Sequence, residues 1–297
     1  MAKLNARTIT NNEYFYGHKA CGGCGESLAL RHAMKILGEN TFAALPAGCM
    51  AAVSFIYPHM SFTTNAMITP FAATGAVASG MAAGLKALGV ENTQTIGFAG
   101  DGGTADIGLQ ALSGAIDRND DIIYMCTDNE AYMNTGIQKS GLTPYGTRTT
   151  TSPAGKNLPG SITHKKNMFE IVAAHGISYA ATASVGYLED FLMKVQKAKD
   201  TKGTSFLHVF VPCPTGWGYP ADQTVALAKA VVDSGLWYLA EYENGEFTVN
   251  RNPKEFTPAK DYLKAQGRFK HLTDEDIEVI EAHRDKKWEM IRKKWNV

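Results

Sequence analysis

Short apolar runs alternate with longer stretches of helical spacing along most of this chain. The runs at 95–99, 122–127, 179–183 and 206–211 are compact and almost wholly apolar, as strands buried on both faces are. Between and around them, 26–37, 106–116, 169–175, 188–198 and 223–234 read as helices. The helix at 74–88 is rich in Gly and Ala, which predicts very close packing against a neighbour. Strands alternating with helices imply an α/β fold, a mostly parallel sheet with helices on both faces. After Gly235 the rhythm changes. Residues 239–250 predict a hairpin turning at Asn244-Gly245, and a polar helix follows over about 274–295. The expected organisation is an α/β domain over 1–235 and a hairpin-and-helix arm over 236–297 that covers a neighbour. Residues 143–166, rich in Thr, Gly and Pro, read as a long loop, and loops of that length are uncommon unless functional.

The chain has 297 residues, with Lys+Arg 29 against Asp+Glu 29. That balance gives no reason to expect nucleic acid or an anionic membrane as partner. Gly is abundant at 29 residues, which suits an α/β enzyme with tight backbone turns. No stretch is long and apolar enough to span a bilayer, and the start, MAKLNARTITNNEYF, lacks the apolar core of a secretory signal. The expected place is the cytoplasm, where five cysteines are metal ligands, catalytic groups or inert core residues rather than a disulfide framework.

The strand ends carry the chemistry. In a parallel α/β sheet, ligands bind at the carboxyl ends of strands. One strand ends in Gly100-Asp101-Gly102-Gly103, whose glycines let backbone amides approach a phosphate at the start of a helix. A carboxylate there reaches a diphosphate only through a cation, and Mg²⁺ takes one or two protein oxygens while sharing phosphate oxygens. The next strand runs abruptly into Asp128-Asn129-Glu130. Asn129 lies 129 − 101 = 28 residues after Asp101, about one helix plus one strand, so both side chains can reach one ion. The backbone carbonyl of Ala131 can supply a third oxygen. The plainer alternative is a tight turn followed by an Asx-type turn with capping duties.

Cys21-Gly22-Gly23-Cys24 is a CxxC. Cys49 follows Cys24 by 25 residues, and Cys213 stands far off between two prolines. Cys126, inside an apolar run, reads as a small core residue. Four thiolates can hold Zn²⁺ or a [4Fe–4S] cluster, and a lone CxxC can also be a redox pair. The spacing alone leaves these open, together with unrelated thiols.

The Gly-Asp-Gly with an Asn 28 residues on resembles the thiamine diphosphate fingerprint. With GHKACGGCGESLALR, PAGCM, TDNEAYMNTGIQKS, TPYG, EIVAAHG and VPCPTGW, the chain resembles the β subunit of 2-oxoacid:ferredoxin oxidoreductases, most nearly the pyruvate enzymes. The resemblance implies a thiamine diphosphate-binding fold and oxidative decarboxylation of a 2-oxo acid with CoA. Electrons would pass through a [4Fe–4S] cluster to ferredoxin. It implies Mg²⁺ held by Asp101, Asn129 and the Ala131 carbonyl. The diphosphate would lie on Gly100, Gly102 and Gly103, and Gly48 and Cys49 would lie against the cofactor. Asn134 would sit over the thiazolium and contact substrate. Cys21, Cys24, Cys49 and Cys213 would ligate the cluster. The glutamate that engages the aminopyrimidine would come from an α-, γ- or δ-type partner subunit, and Glu26 would cap or solvate its helix. Where the pyruvate-type chains carry an acidic and a polar residue after a Phe, this chain reads Phe71-Ala72-Ala73, which brings oxalate and aryl 2-oxo acids into play. A non-redox thiamine lyase with structural zinc is the more distant reading.

Overall fold

The computed structural model describes residues 4–156 and 158–297. The first three positions of the amino-terminal stretch and one position of the 143–166 loop lie outside it. Eight strands form the main sheet: β1 (Thr41–Pro46), β2 (Asn65–Thr69), β3 (Gln94–Gly100), β4 (Ile123–Asp128), β5 (Tyr179–Ser184), β6 (Ser205–Phe210), β7 (Ala240–Glu243) and β8 (Glu246–Val249). Their order is β8-β7-β5-β6-β4-β3-β1-β2. The six strands from β5 to β2 are mutually parallel, and β7 and β8 add an antiparallel edge.

Every residue of β4, β5 and β6 is buried, as their apolar runs require of central strands covered on both faces. Alternate residues feed opposite layers. Met125, Leu207 and Val209 pack with α1 (Gly25–Leu37) and α7 (Leu188–Asp200). Tyr124, Cys126 and Phe206 pack on the other face with α5 (Leu109–Asp117) and α6 (Met168–Ala173). Between α1 and α5 in the chain lie α2 (Cys49–Ser54), α3 (Thr74–Ala87) and α4 (Asp101–Ala105). Strands β1 and β2 escaped the sequence reading for a physical reason. β1 is a short Ala-rich run ending in Pro46, and β2 is an edge strand with most of its residues exposed. The helix expected over 106–116 starts three residues later, at Leu109, as α5, and a separate short helix, α4, precedes the break at 106–108. At the break, a Cβ on Gly108 would lie 2.1 Å from the Gly103 carbonyl oxygen, so the chain folds back on itself where no side chain fits.

Residues 236–297 pack on their own chain. Asn244 and Gly245 both have positive φ, the geometry of a tight hairpin turn, and β7 pairs with β5. α8 (Pro214–Trp217), α9 (Thr224–Asp233) and α10 (Ala259–Lys264) precede the last helix, α11 (Asp274–Trp295). Thr273 and Asp276 close a capping box at its start. Its charged sequence carries a narrow apolar seam: Trp288, Ile291 and Trp295 are buried against the layer containing Phe169 and Tyr238. The 143–166 loop is held shut by Gly146 N–H donating to the Ser161 carbonyl at 2.7 Å and Ser161 N–H to the Thr147 carbonyl at 2.9 Å.

Candidate functional site

Four parallel strands deliver their carboxyl ends to one place. β1 runs into Gly48 and Cys49, β3 into Asp101, β4 into Asn129, and β6 into Cys213. A cavity of about 250 Å³ opens there. Its walls include Gly48, Cys49, Gly100, Asp101, Gly102, Gly103, Asn129, Ala131 and Asn134. Met50, Phe71 and Met133 add apolar surface. The Gly102 position is dictated by contact: a Cβ would stand 2.1 Å from the Tyr132 ring. That ring is fixed in turn by its hydroxyl donating to Asp106 Oδ2 at 2.7 Å.

Asp101 is buried, and the Ser140 hydroxyl donates to its Oδ2. Burial, reinforced by the charge of Asp128, pushes the Asp101 carboxyl well above the ordinary carboxylate range. Such a group wants a cation. Asn129 is oriented by donating its Nδ2 to Glu26 Oε1 at 3.0 Å, which leaves its buried Oδ1 with no hydrogen-bond partner. A carboxylate, an orphaned amide oxygen and the backbone of Ala131 in one wall form a hard-oxygen set that fits Mg²⁺.

Glu26 corrects the expectation of a capping or solvated side chain. It is 3% exposed, lines the cavity, and accepts from the Thr127 hydroxyl at 3.3 Å as well as from Asn129. Burial pushes its carboxyl up to about 7 against the opposing pull of those two donors. Sequence spacing could not reveal this, because Asn129 lies 103 positions away.

Three of the four expected cluster cysteines are half-buried, and Cys21 is exposed. Gly25 explains how Cys213 comes near the CxxC. Its N–H donates to the Pro212 carbonyl at 3.1 Å, and a Cβ there would meet Pro212 backbone at 2.8 Å, so the start of α1 presses directly on the strand that leads to Cys213. Burial pushes the Cys24 thiol up to about 12, with contributions from Glu26 and Cys213. It pushes Cys213 up to about 11, with Glu26 and Cys21 adding to the rise. Cys49 is raised further by burial, Glu26 and the other three sulfurs. An all-thiol donor set of this kind suits an iron–sulfur cluster or zinc. Among the described residues, no three His, Cys, Asp or Glu side chains stand together closely enough to form a single-ion site. Cys126 is fully buried in β4, apart from this group.

Residues 46–209, over half the chain, match the family model of the thiamine pyrophosphate enzyme C-terminal TPP binding domain. A ketoisovalerate oxidoreductase subunit VorB of Pyrococcus horikoshii is 49% identical over 287 residues, covering 94% of this chain and 92% of the relative. A pyruvate synthase subunit PorB of Methanothermobacter thermautotrophicus is 49% identical over 269 residues, covering 91% and 93%. The chain belongs to the 2-oxoacid:ferredoxin oxidoreductases, as the thiamine-binding subunit type. In fold it is similar to a 2-oxoglutarate:ferredoxin oxidoreductase from Magnetococcus marinus, with a TM-score of 0.59 at 22% identity over 70% of each chain.

The oxidoreductase subunit holds its 128–130 loop with a buried ionic clamp that sequence reading missed. Asp128 is fully buried between Lys165 Nζ at 2.6 Å and His208 Nε2 at 2.9 Å. Glu130, at positive φ, meets the same Lys165 at 2.8 Å and Arg268 on its other side. Burial works against the Asp128 carboxylate, but Lys165 and His208 outweigh it and hold it below the usual range. Asn129 sits between these two pinned acids, and Trp217 Nε1 donates to its carbonyl at 2.8 Å. Of the histidines considered from sequence, His164 stacks on His283 with ring centroids 3.5 Å apart. No helix among the described residues is long and apolar enough to cross a membrane.

Proposed function

We propose that this subunit holds the diphosphate end of thiamine diphosphate and a [4Fe–4S] cluster side by side, and that its oxidoreductase acts on pyruvate. The observation that carries the reading is the shared wall: Asp101, the orphaned Asn129 Oδ1 and Cys49 line one cavity. In this reading Asp101, Asn129 and the Ala131 carbonyl hold Mg²⁺, and Gly100, Gly102 and Gly103 leave room for the diphosphate. Gly48 and Cys49 flank the cofactor, Cys49 with Cys21, Cys24 and Cys213 ligates the cluster, and Glu26 adds a buried carboxyl to the same wall. When bound, thiamine diphosphate would supply the carbanion chemistry for decarboxylating a 2-oxo acid, and the cluster would supply a single-electron acceptor. Asn134, exposed at the mouth, orients the substrate. The partners are α-, γ- and δ-type subunits, with CoA as acyl acceptor and ferredoxin as electron acceptor.

Two features support a monocarboxylic substrate. The walls given by this chain include Met50, Phe71 and Met133 but no Lys, Arg or His, so a second carboxylate, or the dianion of oxalate, finds no counter-charge here. The PorB relatives are named for pyruvate synthase. The VorB relatives and the same apolar walls favour a branched 2-oxo acid as the second reading. Anaerobic purification of the assembled complex decides between them, followed by reduction of ferredoxin or a viologen dye with pyruvate, 2-oxoglutarate, branched and aryl 2-oxo acids, and oxalate. Highest kcat/KM with pyruvate is expected. Preference for oxalate or 2-oxoglutarate would overturn the substrate assignment.

A further inference from the structure

A second cavity, of about 430 Å³, shares no lining residue with the thiamine cavity. Its walls include Ile137, Arg148, Thr150, Thr215, Trp217 and Arg268. No Asp or Glu is among its lining residues. The two arginines are held together, since the Arg148 N–H donates to the Arg268 carbonyl at 3.2 Å. The Arg148 side chain is exposed and has no hydrogen-bond or ion-pair partner among the described residues. Arg268 is only 4% exposed, with its guanidinium 3.6 Å over the Trp217 ring. Its Nη2 donates to Glu130 and its Nε to Gln266 Oε1 at 2.9 Å, but its Nη1 has no partner. Arg268 is already paired with Glu130, so the unpaired positive charge in these walls is the exposed Arg148 guanidinium, in a lining that holds no carboxylate.

We infer that this cavity binds a phosphate group of a small molecule. Guanidinium forks match phosphate oxygens, and the Thr150 and Thr215 hydroxyls stand in the same walls. Pro153, Ala154 and Ile137 give an apolar side, and the volume suits a ligand well beyond a 2-oxo acid in size. The cavity is coupled to both proposed centres through the chain. Thr150 donates its hydroxyl to the Gly136 carbonyl at 2.9 Å, two residues after Asn134, and Gly216 N–H donates to Cys213 Sγ at 3.3 Å. Two sources share this chemistry: a phosphate of CoA, or a free oligophosphate.

The test uses the assembled complex saturated with thiamine diphosphate and Mg²⁺, so that the first cavity is filled. Inorganic pyrophosphate is titrated by calorimetry, a readout that needs no turnover and so stands or falls apart from the oxidoreductase reading. Saturable binding with Kd below about 1 mM is expected, weakened about tenfold or more in Arg148→Ala and less in Arg148→Lys. CoA displacing pyrophosphate marks the cosubstrate as the source. Arg148-dependent binding that CoA leaves untouched marks a free oligophosphate. Both outcomes uphold a phosphate site. Absence of saturable binding, equal affinity in wild type and Arg148→Ala, or citrate binding as tightly as pyrophosphate overturns it.

Discussion

Replacing Lys165 with Met removes one charge from the clamp at nearly constant volume. In the wild type, Lys165 Nζ lies 2.6 Å from Asp128 and 2.8 Å from Glu130, whose side chains are 0% and 5% exposed. Breaking a buried ion pair costs about 3–5 kcal/mol, because a charge is left without compensation. Here each acid keeps a second partner, His208 for Asp128 and Arg268 for Glu130, so the lower end applies, about 3 kcal/mol. For a chain of this size that corresponds to a fall of roughly 5 °C in melting temperature. Differential scanning fluorimetry of the cofactor-free complex measures it. The control is Lys294→Met, which removes a pair to Glu170 of similar length, 2.6 Å, but with side chains 55% and 32% exposed. That pair is worth no more than about 1 kcal/mol. Because Asn129 sits between the two acids, Lys165→Met should also weaken thiamine diphosphate retention, and Lys294→Met should not. Equal melting temperatures for Lys165→Met and wild type would refute the clamp as the support of the 128–130 loop.

Asp101→Asn should leave the cofactor-free complex at least as stable at pH 7, since burial disfavours the Asp101 charge, while Mg²⁺-dependent thiamine diphosphate binding falls about a hundredfold or more. Calorimetry on the same sample separates the two effects, and unchanged cofactor affinity would count against Asp101 as a metal ligand. Cys213→Ser should lose the broad visible absorbance of the anaerobically prepared complex while thiamine diphosphate still binds, and retention of full absorbance and iron content would remove Cys213 from the cluster. Glu13 offers a pH test. Arg31, helped by Lys35, holds its carboxyl down to about 2 against the ordinary 4.5. A depressed folded-state pKa adds stability that is present above 4.5 and is lost as pH falls toward 2. The site is partly open to solvent, so the difference between wild type and Glu13→Gln should be about 1 kcal/mol or less at pH 7 and shrink below pH 4.5, as read from denaturant midpoints. A gap that widens on acidification would reverse the assigned sign.

Local patterns alone were enough for the alternation of buried strands and helices, for the positions of Asp101 and Asn129 at two strand ends, and for the hairpin at Asn244-Gly245. These are local signals: apolar runs, glycines at a turn, one helix and one strand between two polar groups. The family's motifs were legible for the same reason, each lying within a short stretch. The setting of Glu26, whose hydrogen-bonded partner Asn129 is 103 positions away, and of Glu130, whose partner Arg268 is 138 positions away, arises only when distant segments meet. Burial and ion pairing depend on which strands become neighbours, and the strand order turns back after β2, to place β3 on the other side of β1, and again at β5, to place β6 between β5 and β4, in a way no single segment encodes. The same holds for α11, where Trp288, Ile291 and Trp295 become a core seam only because the sheet beneath it presents Phe169 and Tyr238.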